Sequence, residues 1–319
     1  MAVLVRGKEM KVAEKSVPKG GSLITRLVHG TDMSLMVAER VDEYHSSPHV
    51  HQSEQLNYVL EGEIWIFFEH GGFRAVKGDF FRIPGDKIHW SWVKSSGSCT
   101  LAESHVPPLT ADRADTAVPL LTAQEDASRI PAIANNFVEY EGASVIERRV
   151  CDAVNGVSEE EDGTGALIIA ARDVPTGMNA VPRGGSVHTK IVYGLDTSLT
   201  FATRVDNYHS SPHLHYCEQL NYVIEGEVTF FIEDEGFTAT RGDFFRIPTG
   251  KVHWFWCRKP GATKLVSTYA PPLVKGREKA IALLTSEEDP SGIGAVDNES
   301  VEYGEAVADV ERRVCGETA

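Results

Sequence analysis

Tyr44-His45-Ser46-Ser47-Pro48-His49-Val50-His51 recurs as Tyr208-His209-Ser210-Ser211-Pro212-His213-Leu214-His215. Ten residues from Glu54-Gln55-Leu56-Asn57 to Gly62-Glu63 return as Glu218 to Glu227 with one change, Leu60 to Ile224. Gly78-Asp79-Phe80-Phe81-Arg82-Ile83-Pro84 returns unchanged as Gly242 to Pro248. His213 follows His49 by 164 residues, and Gly242 follows Gly78 and Pro271 follows Pro107 by the same interval, so no insertion separates the copies over that span. The match runs on to Val138-Glu139-Tyr140 against Val301-Glu302-Tyr303 and to Glu147–Cys151 against Glu311–Cys315. One structural unit is therefore written twice. Two domains are expected, residues 1–162 and 165–319, with the acidic run Glu159-Glu160-Glu161-Asp162 as a solvated linker.

Each copy reads as all-β. Tyr58-Val59-Leu60 and Ile64-Trp65-Ile66-Phe67-Phe68 are short β-branched and aromatic runs punctuated by Glu-Gly and Gly-Gly turns, the texture of a sandwich or barrel. Thr122-Ala123-Gln124-Glu125 and Thr285-Ser286-Glu287-Glu288 have the form of capping boxes, which predicts a short helix behind each barrel.

Composition narrows the function. At 319 residues with 42% hydrophobic and 24% charged residues the chain is an ordinary globular sequence without a span of apolar residues long enough for a bilayer. The first residues, Met1 to Glu9, lack the apolar core of a signal peptide, so a cytoplasmic location is the expectation. Cys99, Cys151, Cys217, Cys257 and Cys315 are odd in number and contain no CxxC pair, which argues against a disulfide framework or a zinc ribbon. A net charge of −15 disfavours nucleic acid or an anionic membrane as partner, while leaving a small anionic substrate open.

The histidines carry the chemistry. Residues two apart on a strand face the same side, so His49 and His51 point together into the barrel, as do His213 and His215. His89 and His253 follow on the strand entered from the Gly-Asp-Phe-Phe-Arg-Ile-Pro turn. The chain here resembles the cupin superfamily, whose two motifs are G-x5-H-x-H-x3/4-E-x6-G and G-x5-P-x-G-x2-H-x3-N. His51 is followed by three residues, then Gln55, then six, then Gly62, so glutamine stands at the glutamate position in this copy and, as Gln219, in the other. Gly78, Pro84 and His89 match the second motif with its glycine moved to Gly85; Gly242, Pro248, Gly250 and His253 match it without a shift. Val93 and Cys257 replace the final asparagine. The resemblance implies two tandem jelly-roll (double-stranded β-helix) barrels, each binding one divalent metal: His49, His51, Gln55 and His89 in the first, His213, His215, Gln219 and His253 in the second. Glu54 and Glu218 are the alternative carboxylate ligands, disfavoured by spacing and by strand parity.

Three histidines and a glutamine are neutral, so a divalent ion keeps its full charge and favours an anionic ligand such as an enolate, phenolate or carboxylate. Fe(II) is the first choice, with Mn, Co, Ni, Cu and Zn also suited to imidazole and amide donors. The ligand set is similar to that of the two-barrel isomerase of bacilysin biosynthesis; quercetin dioxygenases and oxalate decarboxylases share the two-barrel arrangement with glutamate. Asn57 and Asn221, two residues after the glutamines, are expected to hydrogen-bond the ligands from behind. Arg82 and Arg246 are placed around the site as buried salt bridges in preference to substrate clamps. His45 and His209 share strand parity with the ligands and are candidate bases.

The copies differ at Ser91 against Phe255, Glu103 against Ser267 and His105 against Tyr269. Glu103 and His105 are candidate acid–base groups, and the first barrel is expected to be the roomier and more active. The leading functional expectation is a metal-dependent dioxygenase in which O2 and a small chelating enol, diketone or phenol meet the metal. A non-redox isomerase, lyase or decarboxylase is second, and a non-catalytic storage or sensory protein third. Apolar outer faces allow the barrels to pack against each other or across a homodimer.

Overall fold

A computed structural model describes residues 3–94, 97–153, 157–158, 167–304 and 306–316. The expected domain boundary at 162–165 lies outside the described residues. Alternation between apolar and polar residues closes each copy into two facing sheets. In the first barrel the larger sheet runs through Ser22–His29, Ser34–Val41, Cys99–Val106, Glu54–Glu61 and Phe80–Ile83, and the smaller through His49–Val50, His89–Trp92, Glu63–Phe68 and Gly72–Val76. The second barrel repeats this with Ser186–Tyr193, Ser198–Val205, Thr263–Ala270, Glu218–Glu225 and Phe244–Ile247 facing Glu235–Thr240, Glu227–Ile232, His253–Trp256 and His213–Leu214. Leu27, Val59, Ile66, Phe81 and Leu101 fill the first interior, and Val223, Phe230, Phe245, Ile247 and Leu265 the second.

The outer faces of the two large sheets pack on each other. Leu56, Phe80 and Ala102 of one barrel meet Val192, Leu199 and Val266 of the other, and Val28, Leu35 and Leu120 meet Leu220 and Phe244. The hydroxyls of Ser104 and Thr268, which are equivalent positions, hydrogen-bond each other where a local two-fold axis passes. The barrels also exchange strands. Leu4–Val5 pairs with Phe244–Phe245 of the second barrel, and its equivalent Ile168–Ile169 pairs with Phe80–Phe81 of the first.

Arg82 and Arg246 are buried in this contact, both 1% exposed. Gln55 pairs in register with Ile83, so Arg82, one step along, faces out of the barrel. Its Nε lies 2.5 Å from Glu54 Oε1, and its Nη atoms donate to Glu288 of the other copy at 2.6 and 2.8 Å. Glu54 also accepts the N–H groups of Leu195 and Asp196 across the interface. The partner set is the mirror: Arg246 with Glu218 and with Glu125 of the first copy, and Glu218 accepting from the N–H groups of Thr31 and Asp32. Gly30 and Gly194 lie so close to these carboxylates that a Cβ on either would strike them.

The expected helices arise elsewhere. Glu125 and Glu288 do reach back to the N–H of Thr122 and Thr285, but each box closes only a turn, in which the glutamate N–H donates to the threonine carbonyl, and its carboxylate is also held by an arginine of the other barrel. The helices are α1, Ala143–Asp152, and α2, Ala306–Cys315. α1 lays Ala143, Ile146 and Val150 against Trp65, Phe67 and Trp90, while α2 lays Val310 against Phe231 and Trp254. No helix among the described residues is long and apolar enough to cross a membrane.

Removing one member of a buried, hydrogen-bonded charge pair strands the other, at a cost of about 3–5 kcal/mol. Glu54→Ala and Glu218→Ala are each expected to lower the unfolding free energy by that amount in denaturant titrations. Lys77→Ala, which removes an exposed pair with Glu61, should change it little.

Candidate metal centre

His49 and His89 sit opposite each other in an antiparallel ladder, as do His213 and His253. His51 and His215 follow one pleat later and close the triangle. Ring centroids are 6.1, 4.3 and 4.8 Å apart in the first barrel and 6.3, 4.3 and 4.7 Å apart in the second. The ligand atoms of His49, His51 and His89 all lie within 4.8 Å of one another.

Every one of the six rings is oriented the same way. Nδ1 lies 2.9–3.0 Å from a backbone carbonyl: Ser47, Ser53 and Lys87 in the first barrel, Ser211, Cys217 and Lys251 in the second. A carbonyl only accepts, so Nδ1 carries the proton and Nε2 presents a lone pair. Desolvation keeps the rings neutral: it lowers His49 and His213 to about 4 and holds His89 and His253 well below their ordinary value. Nε2 of His253 is buried without a hydrogen-bond partner.

Gln55 and Gln219 line the same cavities as the histidines. Gln55 Nε2 donates to Asn57 Oδ1 at 2.6 Å and to Glu103 Oε2 at 3.0 Å, which uses both of its N–H bonds; Gln219 Nε2 donates to Asn221 Oδ1 at 2.6 Å. In the second barrel Gln219 Oε1 lies 3.1 Å from Nε2 of His215, whose proton is on the other nitrogen. With that tautomer two acceptors face each other without a hydrogen between them, an arrangement that suits a shared cation. The neutral nitrogen and oxygen donors fit a divalent transition ion.

Several expected site residues lie elsewhere. Arg82, Arg246, Glu54 and Glu218 belong to the contact between barrels and face away from the histidines. His45 and His209 also point out. His45 bridges to Trp92 and His49 pairs with His89, so four steps on one strand oppose three on the other, and the extra residue flips the side. His45 stacks on Trp92 and meets Glu147 of α1 at 2.9 Å, and His209 stacks on Trp256 and meets Glu311 of α2 at 2.8 Å. The same glutamates accept from Trp90 and Trp254 Nε1 at 2.8 Å. These histidines fasten the helices to the barrels.

The cavities reverse the expectation about size. Beside His49, His51 and His89 the space is about 60 Å³; beside His213, His215 and Gln219 it is about 310 Å³. Phe255 is larger than Ser91, but Met36, Leu23 and Glu103 crowd the first interior where the second has Thr200, Val187 and Ser267. Glu103 is tied to Arg40 Nη2 at 2.8 Å and to Gln55. His105 is 1% exposed, lies 5.8 Å from the His51 ring and has no hydrogen-bond partner on either nitrogen. Sequence reasoning missed Arg40 and Arg113, and their equivalents Arg204 and Arg277, all of which line the cavities. The constant interval contained the signal: the arginines persist in both copies while Glu103 becomes serine.

Residues 205–269 match the family described as Cupin domain and residues 34–123 the one described as AraC-like ligand binding domain. No curated protein matches the chain. Among solved structures it is similar to oxalate decarboxylase from Bacillus subtilis (TM-score 0.57, 11% identity, 85% of this chain and 76% of that one). Lactobacillus farciminis oxalate decarboxylase in its formate complex gives TM-score 0.57 at 12% identity over 85% and 87% of the two chains. Vicilin from Corylus avellana (hazelnut) gives 0.56 at 13% over 85% and 86%. At these identities the likeness is one of fold: the chain has the two-barrel fold of these bicupin structures, and a cupin-type domain match covers part of each copy.

Proposed function

We propose that the protein is a metal-dependent dioxygenase whose second barrel takes a small anionic enol, diketone or phenol together with O2. The convergence of three neutral imidazole Nε2 atoms and a carboxamide oxygen beside a 310 Å³ cavity supports this reading. That volume is at the lower end of the range of small-molecule sites, about 300–1,000 Å³. A bound divalent metal, Fe(II) in this reading, would supply Lewis acidity and an attachment point for O2 and the substrate anion.

The chain's own residues hold and shield. Backbone carbonyls orient the rings, and Asn221 fixes the Gln219 amide. Tyr208, Phe255 and Leu273 form the apolar part of the cavity wall. Tyr269 lies 5.8 Å from the His215 ring; burial raises its phenol above the usual range, so it stays a neutral hydrogen-bond donor at neutral pH. Among the described residues lining this cavity there is no carboxylate, and its histidines, His213 and His215, are metal-binding candidates. A proton-moving isomerase has no ordinary base there, whereas oxygen chemistry on a substrate that arrives as an anion, or loss of CO2 from a carboxylate, needs none. Acid–base chemistry finds a candidate group in the first barrel, where His105 is an unpaired imidazole beside His51.

Metal analysis of the purified protein, with O2 uptake by the Fe(II) form over a panel of enols, diketones and phenols, tests the proposal. Substrate-dependent O2 consumption is expected; equal turnover under strict anaerobiosis, or with Zn(II), would overturn it. A second outcome concerns pH. His49 and His213 titrate at about 4 when folded but at their ordinary 6.5 when unfolded. Below 6.5 the unfolded chain takes up protons that the native one refuses, so stability of metal-free protein is present above that pH and falls toward 4. The loss is about 1.4 kcal/mol per histidine per pH unit. Denaturant midpoints at pH 7 and 5 should show the fall, and His213→Asn should flatten it.

A further inference from the structure

We propose that Arg204, seconded by Arg277, is a carboxylate-recognition element in the second barrel, and that the substrate there carries a carboxylate on an unsaturated or aromatic body. The inference rests on the reading of the second barrel as the substrate cavity, but not on oxygen chemistry.

Arg204 is 6% exposed, and its Nε and Nη1, like those of Arg40, have no hydrogen-bond partner. Unlike Arg40, it has no carboxylate among the described residues lining its cavity. The guanidinium lies over the rings of Tyr208 at 5.3 Å and Phe255 at 5.1 Å, which hold it in place without using its N–H donors. Thr200 Oγ1, in the same cavity, is also buried and unpartnered. A buried cation left uncompensated is costly, and that cost is relieved when an anion occupies the cavity.

The first barrel shows what kind of anion fits. Arg40 occupies the position equivalent to Arg204, over Tyr44 at 5.4 Å, and there a carboxylate is built in: Glu103 Oε1 at 2.8 Å from Arg40 Nη2. In the second barrel that residue is Ser267, whose hydroxyl turns instead to Asn221 Oδ1 at 2.7 Å. The arginine is kept, its internal carboxylate is deleted, and the space enlarges from about 60 to about 310 Å³. A planar guanidinium selects carboxylate geometry, and Phe255 and Tyr208 beside it suit a flat apolar body.

The test is calorimetric binding of benzoate, cinnamate and phenylpyruvate, with their amides and inorganic phosphate as comparators. It uses the protein as purified and again after removal of metal by a chelator. At least one carboxylate is expected to bind about tenfold or more tighter than its amide and than phosphate, with or without metal. Arg204→Met should weaken it at least about tenfold. Ser267→Glu, which installs the first barrel's internal carboxylate, should also abolish binding, and an unchanged or raised unfolding midpoint shows that the loss is not one of folding. No binding by any carboxylate, equal binding of the amide, tighter phosphate, binding lost with the metal, or wild-type binding by the Ser267→Glu variant would each overturn the proposal. A failure to consume O2 leaves all of these results unchanged, so the two readings fail separately.

Discussion

Two buried arginines tie the molecule together. Arg82 and Arg246 each take one glutamate from their own barrel and one from the other, and the barrel-side glutamates in turn cap backbone N–H groups across the contact. Apolar packing between the large sheets would tolerate sliding. A fork of charge-assisted hydrogen bonds in a dry interface does not, because displacement strands full charges away from water. This contact sets where the large sheets lie, and the large sheets carry Gln55, Gln219, Arg40 and Arg204.

Within that frame the same sequence pattern serves two unequal interiors. Six backbone carbonyls turn six imidazoles the same way, so both barrels present converging lone pairs in nearly identical triangles. What surrounds the triangles differs. One interior is closed by its own carboxylate and by larger side chains, and the other is left cationic and open. Duplication has kept the donor sets and released the walls.

Much of this was legible in the sequence. The constant interval announced two copies, strand parity brought His49 to His51, and the distance from His51 to Gly62 put Gln55 rather than Glu54 inside. Parity failed where the ladder is not regular: one extra residue between His45 and His49 turns His45 outward to a helix that lies about a hundred residues further on. The capping pattern at Thr122–Glu125 was real in its hydrogen bond and misleading as a helix signal: the four residues close a turn, and the glutamate goes on to meet an arginine of the other copy. Cavity size was unreadable because the decisive changes, Met36 to Thr200 and Glu103 to Ser267, lie on two neighbouring strands whose register only the fold supplies.

The strand exchange has a consequence for descent. Leu4–Val5 and Ile168–Ile169 each complete the sheet of the other copy, so neither repeat is whole by its own sequence. The arrangement is that of two identical single barrels that embraced each other by trading first strands, later joined end to end. An isologous pair is bound to keep both halves the same, since every substitution appears twice. Within one chain the two halves are free to differ, and here one pocket is filled where the other is open.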